Sequence, residues 1–516
     1  MNVRFDPAEL FALTPVMWVA GTAIACLLGD LLLKGRSKTP LAWTALTGLG
    51  AALYFMTQEW SGPVERILLG GSVAISSFGF AVGLGLIIAA AMTALSAAQY
   101  GRGTAVATGE FYGLVLFATA GAMVLAIAND LVTLFVALEV LSISVYALTG
   151  ISRGRPTSAE GAMKYFVLGA AASGFLLYGI ALLYGAAGTM QIFAAAGEGP
   201  LSIGLAQPAE PMRAPLALTG VFCLLVGFLF KIGAVPFHGW VADAYEGAPA
   251  PSTGFMSVAV KAAAFAALFK IVVAVALGAG APIGLEASLS IVAMLTMLVG
   301  NFGALMQDNP KRLLAYSGIA HTGYALVAVA AVAAAAESPD GAVDRVVMAN
   351  CAGGLLFYLL AYGVTNLSAF AILCSVERDG KDIERTAQLA GLAKRSPLAG
   401  VALLVTMISL AGVPLTGGFV AKVWVFQAGL REGMLGLVLL GLLTSVVSLY
   451  YYLKVVMAAW MVDEEGAGAA LPESLEGRWA ARLAMVAGLL GTLWLGLLPS
   501  PAMALMQGGA EALFAH

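Results

Sequence analysis

The chain has 516 residues, of which 60% are hydrophobic and 11% charged, with a mean hydropathy of +0.92 and a formal net charge of −3. A soluble protein carries about 25% charged residues, so this composition excludes a soluble enzyme or scaffold. So small and dispersed a charge also gives no basis for nucleic-acid binding. What remains is an all-α polytopic membrane protein.

A membrane span needs roughly 20 mostly apolar residues. About 14 transmembrane helices fit, near 11–33, 40–57, 73–97, 111–128, 130–150, 161–186, 215–239, 254–278, 283–306, 311–335, 348–375, 398–430, 434–460 and 480–498. The residues ahead of the first, MNVRFDPAEL, are polar and acidic and do not read as a signal peptide. Only a short turn at Asn129-Asp130 parts the fourth span from the fifth. Span 7 contains Gly233 and Pro236, and span 12 contains Gly412, Pro414, Gly417 and Gly418, so both are expected to be broken helices. The longest loops, about 187–214 and 461–479, leave no room for a soluble domain. The chain is expected to stop soon after span 14 without a further helix.

The expected organisation is 1–110 (spans 1–3), 111–278 (a first half, spans 4–8), 279–460 (a second half, spans 9–13) and 461–516 (a loop and span 14). Each half has one interrupted span accompanied by a lysine: Lys231 beside Gly233 to Pro236, and Lys422 after Gly412 to Pro414. Such a pair of interrupted spans points to inverted repeats around a site near mid-membrane. Of the 26 Lys and Arg residues, 15 fall in the loops after odd-numbered spans, 5 in the even loops and the N-terminus, and 6 within spans. Basic loops stay inside, so both termini are expected on the outer side.

The buried charges carry the functional reading. A lysine at the centre of a span costs about 2.5–3.5 kcal/mol on insertion scales, and a chain that keeps one usually uses it. Glu139 lies about nine residues from either end of its span. It marks an ion path, or else a packed ion pair that ties helices together. Lys164 starts span 6, where it can snorkel to the surface or act on Glu139. Lys231 is the best proton carrier, because a buried amine gives up its proton more readily than one in water, and a nearby carboxylate opposes the loss. Lys261 sits among small residues in VAVKAAAF, and Lys422 beside a helix break in GGFVAKVWVF. His321, in YSGIAHTGYAL, has Ser317, Thr322 and Tyr324 nearby and can relay a proton through water. His238, closing span 7 in VPFHGW, is a secondary candidate with an interfacial role as the alternative. Lys270 and Lys454 read as snorkelling, Asp30 as a packing charge near Lys34, and Arg378–Arg395 as a solvated loop.

Cys26, Cys223, Cys351 and Cys374 form no CxxC pair and read as small hydrophobes. The three histidines show no i, i+4 pair, so no metal or cofactor is expected on this chain. No phosphate-binding glycine loop, nucleophile elbow or zinc motif occurs. No bond-making chemistry is therefore expected here.

FKIGAVPFHGWVADAYEGAPAPSTGFMSVAVKAAAF resembles the signature of the antiporter-like membrane subunits of NADH-quinone oxidoreductase, respiratory complex I. EFYGLVLFATAGAMVLAIANDLVTLFVALEVLSISVYAL, QDNPKRLLAYSGIAHTGYAL and SLAGVPLTGGFVAKVWVF agree with it. AYEGAPAPSTGF is similar to the subunit N type, and Lys422 disfavours subunit M, which has a glutamate there. Ala244, Ser252 and Thr253 depart from the common wording without touching an ionisable position.

The resemblance implies that Glu139 and Lys231 form the charged pair of a first half-channel, modulated by Lys164. It implies that Lys261 is the central connecting lysine, that Lys422 serves the second half-channel, and that His321 precedes its exit. It further implies a proton-translocating, non-redox subunit in a bacterial inner membrane. Sister antiporter-like subunits, lipid, protons and water are its expected partners, and FMN and iron–sulfur clusters are expected on other subunits. Two alternatives remain open. One is a subunit of a cation/proton antiporter or of a membrane-bound hydrogenase-type complex. The other is a structural subunit whose charges only brace helices.

Overall fold

The computed structural model describes residues 7–33, 38–62, 65–100, 106, 108–193, 213–279, 284–336, 344–377, 382–462 and 478–514. The long loops expected near 187–214 and 461–479 fall largely outside these residues, as do Arg4, Lys34, Arg36, Arg102, Arg378 and Lys381.

The first six helices are α1 (Thr14–Leu32), α2 (Thr39–Glu59), α3 (Ser77–Ala97), α4 (Gly109–Ile127), α5 (Leu131–Thr149) and α6 (Pro156–Ala187). α7 (Arg213–Ile232), α8 (Val241–Gly247), α9 (Ala250–Phe255) and α10 (Lys261–Ala279) follow. The second half holds α11 (Leu285–Leu305), α12 (Pro310–Ala336), α13 (Arg345–Ser375), α14 (Leu392–Arg395), α15 (Pro397–Ala411), α16 (Gly417–Arg431) and α17 (Leu435–Met461). α18 (Trp479–Leu497) and α19 (Ser500–Ala512) close the chain.

Among the described residues, 12 helices are long and apolar enough to cross a membrane. Two expected spans are not among them. α2 has the length, but four threonines, Gln58 and Glu59 dilute its apolar character. Span 12 is two short helices, α15 and α16, as its glycines and proline foretold. Span 7 likewise ends at Ile232, where Gly233 takes φ +73°. Span 8 holds a break that its sequence did not announce: a π turn at Met256–Val260 joins α9 to α10.

Two further expectations are corrected. The chain does not stop after span 14, because α19 follows α18 and packs on α13 and α3. Span 3 does not begin at 73. Val73–Ile75 is a strand, β2, paired antiparallel with β1 (Arg66–Leu68), with Arg66 opposite Ile75. This hairpin bridges to Ala128 at the end of α4.

The bundle is centred on α9–α10, which is wholly buried, and on α12 and α13, which are nearly so. Close approach uses small residues, as membrane helices require. A Cβ on Gly179 of α6 would stand 2.8 Å from the Gly220 carbonyl of α7. Helix starts are capped where the sequence permits: Asp130 accepts from the Val132 and Thr133 amides, and Asp344 from those of Val346 and Val347.

A buried line of lysines, hydroxyls and one histidine

α5 presents Glu139, Ser142 and Tyr146 at i, i+3 and i+7, on one face. Lys231, in the last turn of α7, is 1% exposed and donates to Ser142 Oγ (2.7 Å) and Tyr146 Oη (3.0 Å). Glu139 is half-buried and accepts from Ser173 Oγ of α6 at 2.5 Å. The expected charged pair is therefore not a direct contact. Hydroxyls of α5 and α6 hold each charge separately, because the serines and the tyrosine sit closer to each charge than the charges do to one another.

The break after α7 satisfies its own backbone, as any break in hydrocarbon must. Thr322 Oγ1 donates to the Ile232 carbonyl (2.8 Å), Trp240 Nε1 to the Phe230 carbonyl (3.1 Å), and the Val235 amide to Thr296 Oγ1 (3.0 Å). Thr322 Oγ1 also lies 3.0 Å from the Gly318 carbonyl, where the next lysine is seated.

Lys261 opens α10 directly after the π turn. Its Nζ donates to the Gly318 carbonyl at 2.5 Å and stands 5.8 Å from the centre of the Tyr362 ring. One turn along α12 from Gly318, His321 is 5% exposed. Its Nδ1 lies 2.6 Å from Tyr358 Oη and its Nε2 3.3 Å from Tyr452 Oη. Tyr452 Oη in turn meets Ser317 Oγ at 2.5 Å. The imidazole packs against Tyr362 (4.8 Å between ring centres) and edge-on to Tyr324 (5.6 Å).

Lys422, 5% exposed on α16, donates to the Ala411 carbonyl (2.9 Å), the Leu410 carbonyl (3.2 Å) and Ser445 Oγ (3.0 Å). Its ammonium lies 4.8 Å over the Tyr324 ring. Tyr362 thus stands between Lys261 and His321, and Tyr324 between His321 and Lys422. Ring faces attract cations, so each tyrosine offers its ring to the ammonium beside it.

Two of the sequence candidates sit apart from this line. Lys164 is 45% exposed and pairs with Glu160 and Asp243, at 2.7 Å each, instead of approaching Glu139. Asp243 also binds Arg312 (2.8 Å), which binds Glu246 (2.6 Å). His238 lies half-buried in the broken stretch and makes no hydrogen bond to the line among the described residues.

Two other readings change, those of Lys270 and of the loop around Asp382, while Asp30 keeps its reading as a packing charge. Lys270 does not snorkel. It is 2% exposed and donates to the Ala128 carbonyl at 2.6 Å, at the end of α4. Asp30 pairs with Lys38 at 2.6 Å. Within the stretch expected to be a solvated loop, Asp382 is buried and binds Lys311 at 2.6 Å.

The hydroxyl partners Ser142, Tyr146, Ser173, Tyr358, Tyr452 and Ser445 were missed by sequence reasoning. Only Ser142 and Tyr146 left a signal, their spacing from Glu139. The described residues hold no group of three or more His, Cys, Asp or Glu able to bind a metal ion.

Residues 128–448 match the transmembrane family of NADH:quinone oxidoreductase and the Mrp antiporter. NADH-quinone oxidoreductase subunit N of Myxococcus xanthus is 40% identical, with 97% of each chain covered. A chain of respiratory complex I from Thermus thermophilus superposes with a TM-score of 0.76 at 34% identity, covering 95% of this chain and 98% of that one. A chain of the Mrp complex from Dietzia shares the fold, with a TM-score of 0.79 at 24% identity and 98% of each chain covered. By identity and coverage together, the chain belongs to the NADH-quinone oxidoreductase subunit N family.

Proposed function

We propose that this chain translocates protons as the N-type membrane subunit of an NADH-quinone oxidoreductase, performing no redox step itself. Its partners are then the other membrane subunits of that complex, and FMN and iron–sulfur clusters belong to other subunits. The basic loops orient it in a bacterial inner membrane with both termini outward.

The observation that carries this reading is the near-continuous series Glu139, Ser142/Tyr146, Lys231, Lys261, His321 and Lys422, linked by hydroxyls, carbonyls and aromatic faces inside the bundle. A set of braces would pair each lysine with a carboxylate. Here no ion pair reaches Lys231, Lys261 or Lys422 among the described residues: each amine is seated on hydroxyls or carbonyls, and Glu139 acts on Lys231 without direct contact. Such an amine is stable enough to hold a proton and not so tightly paired as to trap it.

Electron transfer elsewhere in the complex would change the field at Glu139. Lys231 would then pass its proton along bridging water towards Lys261 and on through His321 to Lys422. Lys164, held by Glu160 and Asp243, would act on this series only at a distance.

The test is NADH-driven proton uptake by the intact complex in vesicles. Lys231→Ala and Lys261→Ala should each abolish most pumping while the complex still assembles. Wild-type pumping by either assembled variant would reject the relay.

A further inference from the structure

Lys311 and Asp382 form a buried ion pair that the relay does not use. Their side chains are 2% and 3% exposed, and Nζ meets Oδ2 at 2.6 Å. The ammonium also donates to the Ala248 carbonyl at 2.7 Å, and Tyr100 Oη donates to Asp382 Oδ1 at 2.7 Å. Burial, reinforced by the neighbouring Asp382 charge, holds the Tyr100 hydroxyl well above its ordinary value, so it remains a donor. The cluster sits at the basic end of the bundle, where α12 begins.

From there, one face of α12 leads inward. Lys311 and Gly318 are seven residues apart, so they share a face about 10 Å apart along the axis. Gly318 is the carbonyl that seats Lys261. Along the same stretch, buried polar atoms have no protein partner: Ser252 Oγ on α9, four residues after Ala248, and Tyr362 Oη, on the ring beside Lys261. Asn366 Oδ1, one turn further along α13, is a third. Buried hydroxyls and amides are almost always satisfied by protein or by ordered water. Orphans spaced between two buried charges are where bridging water binds.

We propose that the Asp382–Lys311 pair is an intake for protons from the basic side, delivering them along water held by Ser252 and Tyr362 to Lys261. This rests on the relay reading of Lys261, and it gives the central lysine its own supply, independent of Lys231. Asp382 takes the proton from solvent, Lys311 shifts towards the Ala248 carbonyl as the carboxylate is neutralised, and the proton moves on through the Ser252 and Tyr362 hydroxyls.

The test uses the intact complex in vesicles, with Lys311→Met/Asp382→Leu and Asp382→Asn. Replacing both partners of a buried pair by apolar residues commonly preserves folding, so the double variant keeps the experiment interpretable if Asp382→Asn fails to assemble. Expected is an assembled complex whose NADH-driven pumping is slower by about tenfold or more. In Asp382→Asn, added formate, a small weak acid, should restore part of that rate. A loss that formate does not relieve would make the pair a brace and overturn the intake. Wild-type pumping by the double variant, with Lys261→Ala still blocked, would overturn the intake and leave the relay standing. Wild-type pumping by Lys261→Ala would overturn both.

Discussion

The ammonium of Lys422 lies 2.9 Å from the carbonyl of Ala411, the last residue of the helix that ends just before its own begins. That carbonyl and its neighbour on Leu410 have no successor to bond within α15, and they carry the negative end of its dipole. A full counter-charge at 4 Å contributes about 4 kcal/mol at an effective dielectric near 20, and the half-charge of a helix end about half that. The break therefore seats a cation without locking it. Lys261 also rests on a backbone carbonyl, that of Gly318, but one inside a continuous helix and without a helix end behind it.

Gly412, which ends that helix at φ +88°, should not accept a side chain. The left-handed backbone costs about 1–2 kcal/mol for an L-residue. The new Cβ of Gly412→Ala would also stand 2.9 Å from Lys422 Cδ and 3.2 Å from Nζ. Proton pumping by the assembled complex should fall roughly tenfold, measured with a pH-sensitive dye in vesicles. An assembled variant that pumps like wild type would show that the carbonyl seat is dispensable.

Lys231 depends on two hydroxyls. Ser142→Ala/Tyr146→Phe would remove both from a buried ammonium, at about 1.5–3 kcal/mol for each hydrogen bond to a charge. The double variant should pump at least tenfold more slowly than wild type, and each single variant should fall between them. Wild-type pumping by the double variant, with Glu139→Gln also harmless, would contradict hydroxyl-mediated transfer between the two charges.

His321 is oriented mainly by Tyr358, at 2.6 Å, and more weakly by Tyr452, at 3.3 Å. Tyr358→Phe should therefore slow pumping more than Tyr452→Phe, while both keep the rings that pack the site. The comparison is one of initial pumping rates at matched complex content. The reverse order would mean that the Ser317–Tyr452 contact, not Tyr358, sets the imidazole.

Asp243 gives a pH signature. Burial acts to raise its carboxyl, but the hydrogen bonds and charges of Lys164 and Arg312 outweigh that and hold it below the ordinary aspartate range. A carboxyl lowered in the fold contributes stability that is complete above its unfolded value, about 3.9, and is lost as pH falls through the lower folded value. The purified complex should be more thermostable than its Asp243→Asn variant at pH 7, by a margin constant down to about pH 5 and closing below about pH 4. A margin that persists unchanged at pH 3.5 would exclude the ionised carboxylate as its source.

The helical architecture, both glycine-marked breaks and the burial of Lys231, Lys261, His321 and Lys422 were legible because lone charges in long apolar runs stand out. What stayed hidden depends on which faces meet. Lys270 looked close enough to a span end to reach water, yet the Arg66–Ile75 hairpin lies over the same end of α4 whose Ala128 carbonyl receives it. Asp382 looked solvated because its neighbours are charged, and only the approach of Lys311 and Tyr100 buries it. Serine and tyrosine are common in membrane helices, so composition could not separate the hydroxyls that hold an amine from those that merely pack. α19, at 13 residues, is too short to cross a bilayer and only modestly apolar, so its sequence does not stand out.

The π turn at Met256–Val260 stores one residue more than an α-turn needs, immediately ahead of Lys261. Tightening it to ordinary α geometry would rotate everything downstream by about 100° about the helix axis. The amine would swing off Gly318 and point elsewhere in the bundle, with almost no change in the outline of the subunit. The extra residue of that turn thus fixes which carbonyl Lys261 meets.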